Sequence, residues 1–339
     1  MSEVRPRLPR DGEKARKRVL SSLAIILASL ASAAPASGQD YPARNVTFIV
    51  PTGAGAGTDL LARILAPKLT DRFGKSFVVE NRPGAGTVIA ANAVAKSAPD
   101  GYTLLMGTST PLAINASLHK KLPYDPARDF MPLALIATVP FVLVVNNDLP
   151  VHSVQDFIWL AKERPGTFAY GSTGPGTPFH LYAELFGSMT GVHMVHVPYK
   201  AAVAALTDLM GGRLQVMMTD FASSLPLIRE GRVRALGVTT KSRAPAAPEI
   251  APIAELGVPG FEAAAWQMVV APAATPKAIV DRLHAELKAV MAMPETRDQI
   301  AKIGLVPADT GSPEELQGFV EAEIVRWAKV VERSGASVD

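Results

Sequence analysis

Two glycine-rich loops hold the residues whose types and spacing could bind a ligand. The first reads Thr52-Gly-Ala-Gly-Ala-Gly-Thr-Asp59 and lies between an apolar strand pattern and leucines at helical spacing. The second spans 171–178 and ends in Thr177-Pro178, the pattern of a helix N-cap followed by proline. Both therefore predict a strand, a turn and a helix N-terminus whose backbone N–H groups suit an anion.

The first loop comes close to two nucleotide-binding motifs without matching either. A Walker loop needs a lysine near its end, and this loop has none. The dinucleotide fingerprint needs a third glycine where Thr58 stands, and Asp59 at the helix start would repel a pyrophosphate. Either Thr58 or Asp59 fits the helix N-cap. A capped tight turn explains this loop alone, whereas a second loop of the same kind favours a shared binding site.

Neither loop contains lysine or arginine, so a bound anion would rely on N–H groups, hydroxyls and helix dipoles. A hydrogen bond to a charged group contributes roughly 1.5–3 kcal/mol, and a helix dipole about 0.3–1 kcal/mol. A handful of these supports micromolar binding, about −8 kcal/mol, after ordering costs. Such an affinity suits a receptor that must release its ligand.

Catalytic and metal sites receive little support from the same residues. Ser172 could be a nucleophile, but Tyr170 stands where the G-x-S-x-G elbow needs a glycine. His180, beside a helix start, is expected to be structural. His193 and His196 alternate in a predicted strand without the spacing of metal ligands. We therefore predict no catalysis, no metal and no cofactor.

The N-terminal segment has the pattern of a secretory signal peptide. A basic region up to Arg18 is followed by a short apolar run and small residues, and we place the signal at 1–38. This predicts Sec-type export to the periplasm, and the absence of cysteine excludes a lipoprotein anchor. The segment carries seven of the 34 Lys/Arg and three of the 31 Asp/Glu, so the remainder is near −1. That charge balance gives no reason to expect nucleic acid as a partner.

Strands and helices alternate along the first hundred mature residues, which is typical of an α/β sheet with parallel strands. Ligands bind beyond the carboxyl ends of such strands, where Ser109 is expected and where Asp220 follows a later strand. Pro67 falls inside the first helical pattern and should kink or shorten that helix. A predicted strand at 141–145 would carry the chain into a second lobe, and one at 266–272 would return it.

Short motifs recur in a specific order and spacing from 41 to 272. They are Tyr41-Pro-Ala-Arg44, Val79-Glu-Asn-Arg-Pro-Gly-Ala-Gly86, Pro99-Asp-Gly-Tyr-Thr-Leu-Leu105, Leu122-Pro-Tyr-Asp-Pro126, Gly171-Ser172 with Gly174 and Gly176, His196-Val-Pro-Tyr-Lys200, Arg234-Ala-Leu236 and Ala271-Pro272. In this order the chain resembles the periplasmic solute-binding proteins of tripartite tricarboxylate transporters, the Bug receptor family. The resemblance covers essentially the whole mature chain.

The resemblance implies an α/β fold of the type II periplasmic-binding class, with two lobes and a ligand cleft between them. Lobe 1 is expected to comprise 39–140 plus 263–339, and lobe 2 to comprise 141–262. It also implies a monomeric, non-catalytic receptor that binds a small carboxylate, namely a di- or tricarboxylic acid, an acidic amino acid or an aromatic acid. A membrane permease is the implied partner, to which the receptor delivers the ligand or whose ligand it signals.

The two loops would face each other across this cleft and hold the carboxylate through N–H groups, hydroxyls and waters. The candidate ligand-binding residues are Thr52, Gly55, Ala56, Gly57, Thr58, Asp59, Ser109, Ser172, Thr173, Gly174, Gly176, Thr177 and Asp220. Two of them depart from the family pattern: Thr52 replaces a bulky aromatic residue, and Ala56 replaces a second consecutive glycine. These departures bear on which ligand fits rather than on the fold.

Several alternatives stay open at this point. Asp59 either caps its helix or selects ligands that carry an amine or a hydroxyl, and His180 is either structural or a ligand contact. A secreted α/β hydrolase is a rival function, although the nucleophile elbow is missing. The effector domain of a transcription regulator is another, but the signal-peptide pattern occupies the place of its DNA-binding module.

Overall fold

A computed structural model of the protein describes residues 41–338, apart from the side chain of Ala222. The predicted signal peptide, 1–38, lies outside these described residues. Within them, no helix combines the length and the apolar composition needed to cross a membrane.

Eleven strands and ten α-helices make up the described chain. The strands are β1 (Val46–Val50), β2 (Phe77–Asn81), β3 (Thr103–Thr108), β4 (Phe130–Val139), β5 (Phe141–Val145), β6 (Ala169–Ser172), β7 (Val195–Pro198), β8 (Val216–Asp220), β9 (Arg234–Val238), β10 (Ala265–Pro272) and β11 (Val306–Pro307). The helices are α1 (Gly57–Phe73), α2 (Val88–Ala95), α3 (Asn115–Leu118), α4 (Val154–Glu163), α5 (Pro178–Thr190), α6 (Ala202–Met210), α7 (Phe221–Arg229), α8 (Lys277–Ala292), α9 (Pro294–Lys302) and α10 (Pro313–Ser334). A 3₁₀ turn (Ala85–Thr87) precedes α2, and a π-helical turn (Thr110–Ile114) precedes α3.

The strands form two sheets. The first has six strands in the order β11-β4-β10-β3-β1-β2, and the second has five in the order β7-β6-β8-β5-β9. Pairing is parallel between β1 and its neighbours β2 and β3, as expected, whereas β10 runs antiparallel to both β3 and β4. In the second sheet β6 is parallel to β7 and β8, and β5 is antiparallel to β8 and β9. Both sheets are therefore mixed.

The chain passes between the sheets at the edges where the glycine-rich loops lie. Strand β4 ends at Val139, and β5 begins at Phe141 after Pro140 alone. Phe141 pairs with Asp220 at the carboxyl end of β8, so this crossing is at the same edge as that strand end. Strand β10 returns to the first sheet with Gln267 opposite Thr108, at the carboxyl end of β3. The predicted strands at 141–145 and 266–272 are confirmed.

Helix α1 shows how local signals were only partly sufficient. The spacing of buried Leu61, Leu65 and Leu69 produces the helix, and Gly74, with φ of 68°, ends it in the left-handed conformation. The expectation that Pro67 shortens the helix is wrong, because α1 continues to Phe73. Packing of the apolar face on the sheet outweighs the one hydrogen bond that a proline removes.

The core is continuous across both halves of the chain. One cluster of buried side chains includes Ile49 and Leu105 of the first sheet together with Leu143 of the second. Helix α10 packs against α3 and β4 on one side and against α5 on the other. The lobe boundaries at 39–140 plus 263–339 and at 141–262 therefore stay a prediction, although the two sheets follow that division.

Helix α10 is anchored through a buried carboxylate. Glu323 Oε2 accepts hydrogen bonds at 2.9 Å from the indole N–H of Trp266 on β10 and from that of Trp327. Its other oxygen accepts from Arg326 at 3.0 Å. Because Trp327 is fully buried and stacks on Tyr182 of α5, this carboxylate fixes the helix that touches both halves.

Replacing Glu323 by alanine should lower the free energy of unfolding by about 3 kcal/mol, because two buried indole N–H groups lose their acceptor. Chemical denaturation of the purified protein measures the change. The matched control is Glu321→Ala on the same helix, where the carboxylate is exposed and the change should stay within about 0.5 kcal/mol. Equal losses in the two variants would contradict this role for Glu323.

Candidate functional site

The first loop presents a helix N-terminus with unused donors. The first hydrogen bond of α1 runs from the N–H of Leu60 to the carbonyl of Ala56 at 2.9 Å. The N–H groups of Gly57, Thr58 and Asp59 have no acceptor among the described residues. Together with the positive end of the helix dipole, these three donors form an anion site of the kind the sequence predicted.

The loop also borders open space. A Cβ atom added at Gly53, Gly55 or Gly57 would meet no atom within 4 Å. Gly55 has φ of 84°, a left-handed conformation that glycine adopts without strain. The N-cap of α1 is Ala56, without a side-chain hydrogen bond, so the assignment of the cap to Thr58 or Asp59 is wrong.

Asp59 instead clamps the loop from within. Its carboxylate is almost fully buried, at 1% exposure, and accepts hydrogen bonds from the N–H of Gly55 at 2.8 Å, from Nε of Arg63 at 3.0 Å and from Nδ2 of Asn81 at 2.9 Å. The hydrogen bond from Arg63 does most to lower the pKa of Asp59 to about 2, with further help from Gly55 and Asn81. Asp59 is therefore ionised, neutralised and occupied by the protein.

The second loop is shaped by hydrogen bonds among its own residues. Ser172 ends β6 fully buried, and its Oγ accepts from the N–H of Gly174 at 3.0 Å. Thr177, the N-cap of α5, uses its hydroxyl to donate to the carbonyl of Gly174 at 2.8 Å. An added Cβ at Gly176 would lie 2.6 Å from Leu118 of α3, so this loop packs against the half of the chain that follows β3. Thr173 lies in the same turn with no hydrogen bond to its side chain among the described residues.

Two histidines hold the second loop in place. His180 Nδ1 accepts from the N–H of Gly176 at 3.0 Å, and His196 Nε2 lies 2.6 Å from Ser172 Oγ. The two imidazoles stack with centroids 4.0 Å apart and planes within 7°, and Tyr170 covers the other face of His196 at 5.0 Å. His180 therefore supports the loop structurally, as the sequence led us to expect.

The contacts set the protonation of both rings. Burial, followed by the charge that His196 can carry, lowers the pKa of His180 to about 4, and burial lowers the pKa of His196 as well. Because His180 Nδ1 accepts a hydrogen bond, that ring is neutral and carries its proton on Nε2. Nε2 lies 3.9 Å from Oε1 of Glu184, which also accepts from the hydroxyl of Tyr170 at 2.6 Å.

Buried polar atoms without a protein partner gather at the strand ends beside the loops. They include the hydroxyl oxygens of Thr52 after β1, Ser109 after β3 and Thr219 on β8, and Oε1 of Gln267 on β10. Such atoms are costly unless something binds them, so they mark the edge of each sheet as a binding surface. Thr219 and Gln267 were missed from sequence, although a polar residue inside each apolar strand was a usable signal.

Asp220 has a different role from the one predicted. Its Oδ1 accepts from the N–H of Ser223 at 2.8 Å, and its Oδ2 accepts from the Ser223 hydroxyl at 3.0 Å. The carboxylate thus caps α7 and already occupies the anion-favouring end of that helix. A ligand contact by Asp220 stays a prediction that this geometry does not favour. Among residues 41–338, no three His, Asp or Glu side chains are grouped so that they could hold a metal ion.

The pH dependence of stability should report the neutral state of His180. Its pKa is about 4 in the folded chain and 6.5 ordinarily, so the unfolded chain binds the proton first. The free energy of unfolding should therefore be independent of this group above pH 6.5. It should fall as pH drops from 6.5 to about 4, by up to about 1.4 kcal/mol per pH unit.

Denaturation at pH 7.5 and at pH 4.5 measures this loss. In His180→Gln the loss should shrink, whereas His193→Gln, at an exposed histidine, should keep it. A loss of the same size in all three proteins would show that His180 does not carry the effect.

Comparison with known proteins places these features in a family. A family model described as tripartite tricarboxylate transporter family receptor matches residues 61–336. BugT of Bordetella pertussis is 38% identical over 322 residues, which cover 95% of this chain and 98% of BugT.

Solved structures agree with the fold. The Rpa4515 protein of R. palustris, determined with adipate, is 43% identical with a TM-score of 0.76, covering 88% of this chain and 99% of that one. MatC of Rhodopseudomonas palustris, with bound malate, is 30% identical with a TM-score of 0.71, covering 86% and 100%. The periplasmic binding protein BugD is 31% identical with a TM-score of 0.72, covering 88% and 99%. The protein therefore has the two-lobed type II periplasmic-binding fold and belongs to the tripartite tricarboxylate transporter receptor family.

Proposed function

We propose that this protein is an extracytoplasmic receptor for a small carboxylate. The observation that carries the proposal is the N-terminus of α1, where three N–H groups lack acceptors and face open space. Helix N-termini bind carboxylates and phosphates through such donors. The family and its structures support the smaller anion, since Rpa4515 was determined with adipate and MatC with malate.

In this proposal the carboxylate sits on Gly57, Thr58 and Asp59 through their N–H groups. The unpartnered hydroxyls of Thr52 and Ser109 lie at the same sheet edge and complete its shell. Gly55 and Ala56 shape the approach to these donors. From the other side, the turn at Thr173 and Gly174 and the second-loop residues Ser172, Gly176 and Thr177 close over the ligand.

Delivery to a membrane permease follows from the family, and signalling of the ligand is the other outcome. Export to the periplasm, directed by a signal peptide at 1–38, is part of the same proposal, and so is a monomeric receptor. Closure of the two lobes around the ligand would use the crossings at Pro140 and before β10, because both lie at the edges that carry the loops.

A hydrolase is the second candidate, because Ser172 Oγ lies 2.6 Å from His196 Nε2. The pair resembles a nucleophile and its base. However, Ser172 is fully buried and its Oγ is occupied by the N–H of Gly174, so it cannot approach a substrate carbonyl in this conformation. Esterase activity that disappears in Ser172→Ala would favour the hydrolase over the receptor.

A proline at position 57 tests the anion site directly. Gly57 is the first residue of α1, where proline fits and removes only an N–H group. Ala56 before it has φ of −70° and ψ of 157°, the extended conformation that a following proline requires. Gly57→Pro should fold normally and weaken binding of adipate about 10- to 100-fold, the effect of losing one hydrogen bond to a charged group.

Gly57→Ala is the matched control, because it keeps the N–H and its Cβ meets no atom within 4 Å. Isothermal titration calorimetry of the wild type and both variants gives the comparison, and thermal melts confirm that they are folded. Equal affinities in the proline and alanine variants would remove the helix N-terminus from the site. The absence of binding by any carboxylate in the wild type would overturn the receptor itself.

A further inference from the structure

A cavity of about 480 Å³ adjoins the second loop. One wall is the turn Ala85–Thr87 with side chains that follow β3, and the other is Pro175–Pro178 of the second loop. It meets the carboxylate site through neighbouring residues, since Thr110 follows Ser109 and the cavity wall includes Gly176 and Thr177. Its volume is in the range of small-molecule sites.

The wall of this cavity is mainly carbon. Ala85, Leu118, Pro175 and Pro178 present apolar surface to it. Of the described residues that line it, none is Lys, Arg, Asp or Glu, and His119 is the ionisable one. Burying an apolar group here gains hydrophobic free energy, whereas a charged group would lose its hydration without a counter-charge.

The wall is also held in an unusual backbone conformation. Ala85 has φ of 46° and Thr87 has φ of 75°, and they are the two non-glycine residues with positive φ in the described chain. The amide of Asn115, itself buried, donates to the carbonyl of Gly86 at 3.0 Å and fixes the turn. Strained backbone that is held by its surroundings is typical of ligand clamps.

The charge available around the site limits the ligand further. The guanidinium of Arg63 is bound to Asp59, and the second loop uses the N–H groups of Gly174 and Gly176 internally. The three donors of α1 can therefore neutralise one carboxylate. Two or three further negative charges would find no cation in either loop.

We propose that the ligand carries one carboxylate on the N-terminus of α1 and an uncharged, apolar chain or ring in the cavity between Ala85–Thr87 and Pro175–Pro178. This inference rests on the proposed receptor function and narrows its ligand to apolar monocarboxylates. Tricarboxylates such as citrate are poor ligands, because their remaining charges have no partner in this cavity.

Calorimetric titration of the wild type with acetate, butyrate, hexanoate, benzoate and citrate tests the proposal without any mutation. The dissociation constant should fall by about fourfold for each methylene added from acetate to hexanoate. Hexanoate or benzoate should bind at least tenfold more tightly than citrate, given that each tenfold step is about 1.4 kcal/mol.

Filling the cavity tests its location. Ala85→Phe places a ring on the cavity wall and should weaken hexanoate at least tenfold while leaving acetate unchanged. Ala204→Phe, at an exposed alanine of α6 outside the cavity, is the matched control and should leave both acids unchanged. Thermal melts of the ligand-free variants show that both are folded.

The outcomes separate this inference from the receptor proposal. Acids that bind without any gain from acetate to hexanoate, or citrate binding more tightly than hexanoate, would overturn the apolar ligand and leave the receptor standing. A full chain-length gain that persists in Ala85→Phe would place the apolar group elsewhere. If none of the acids binds, both proposals fail together.

Discussion

The structure depends on how a buried carboxylate is tolerated beside an anion site. Asp59 lies at the start of α1, where its charge would repel any bound acid. The hydrogen bonds from Arg63, Gly55 and Asn81 satisfy that carboxylate inside the protein and tie the loop, the helix and β2 together. The same contacts leave the N–H groups of Gly57 and Thr58 directed outward. An acidic residue thereby becomes the support of an anion site instead of its competitor.

The second loop solves a similar problem with neutral groups. His180 and His196 accept or share hydrogen bonds from Gly176 and Ser172, and their close stacking is compatible with two uncharged rings. This arrangement uses the loop's own donors internally, so the second loop contributes shape and hydroxyls more than charge. The asymmetry between the loops explains how a site without a free cation can bind an anion and still release it.

Much of this could be predicted from the sequence, because the signals were local. Glycines between a strand and a helix located both loops, and the family motifs implied the two-lobed fold. Local signals failed where tertiary contacts decide the outcome. Asp59 was assigned to a cap or a ligand, but Arg63 and Asn81 occupy it, and Asp220 caps α7. Thr219 and Gln267 reach the site only because β8 and β10 bring them to the sheet edges, which no local pattern encodes.

The central claim is that the N-terminus of α1 holds a ligand carboxylate, and the backbone amides of that turn report on it most directly. Titration of the isotope-labelled protein with adipate, followed by nuclear magnetic resonance, gives the shift of each amide proton. Hydrogen bonding to a carboxylate predicts large downfield shifts for the amide protons of Gly57, Thr58 and Asp59 at saturation. Saturable binding that leaves these three amide protons unshifted would contradict the account.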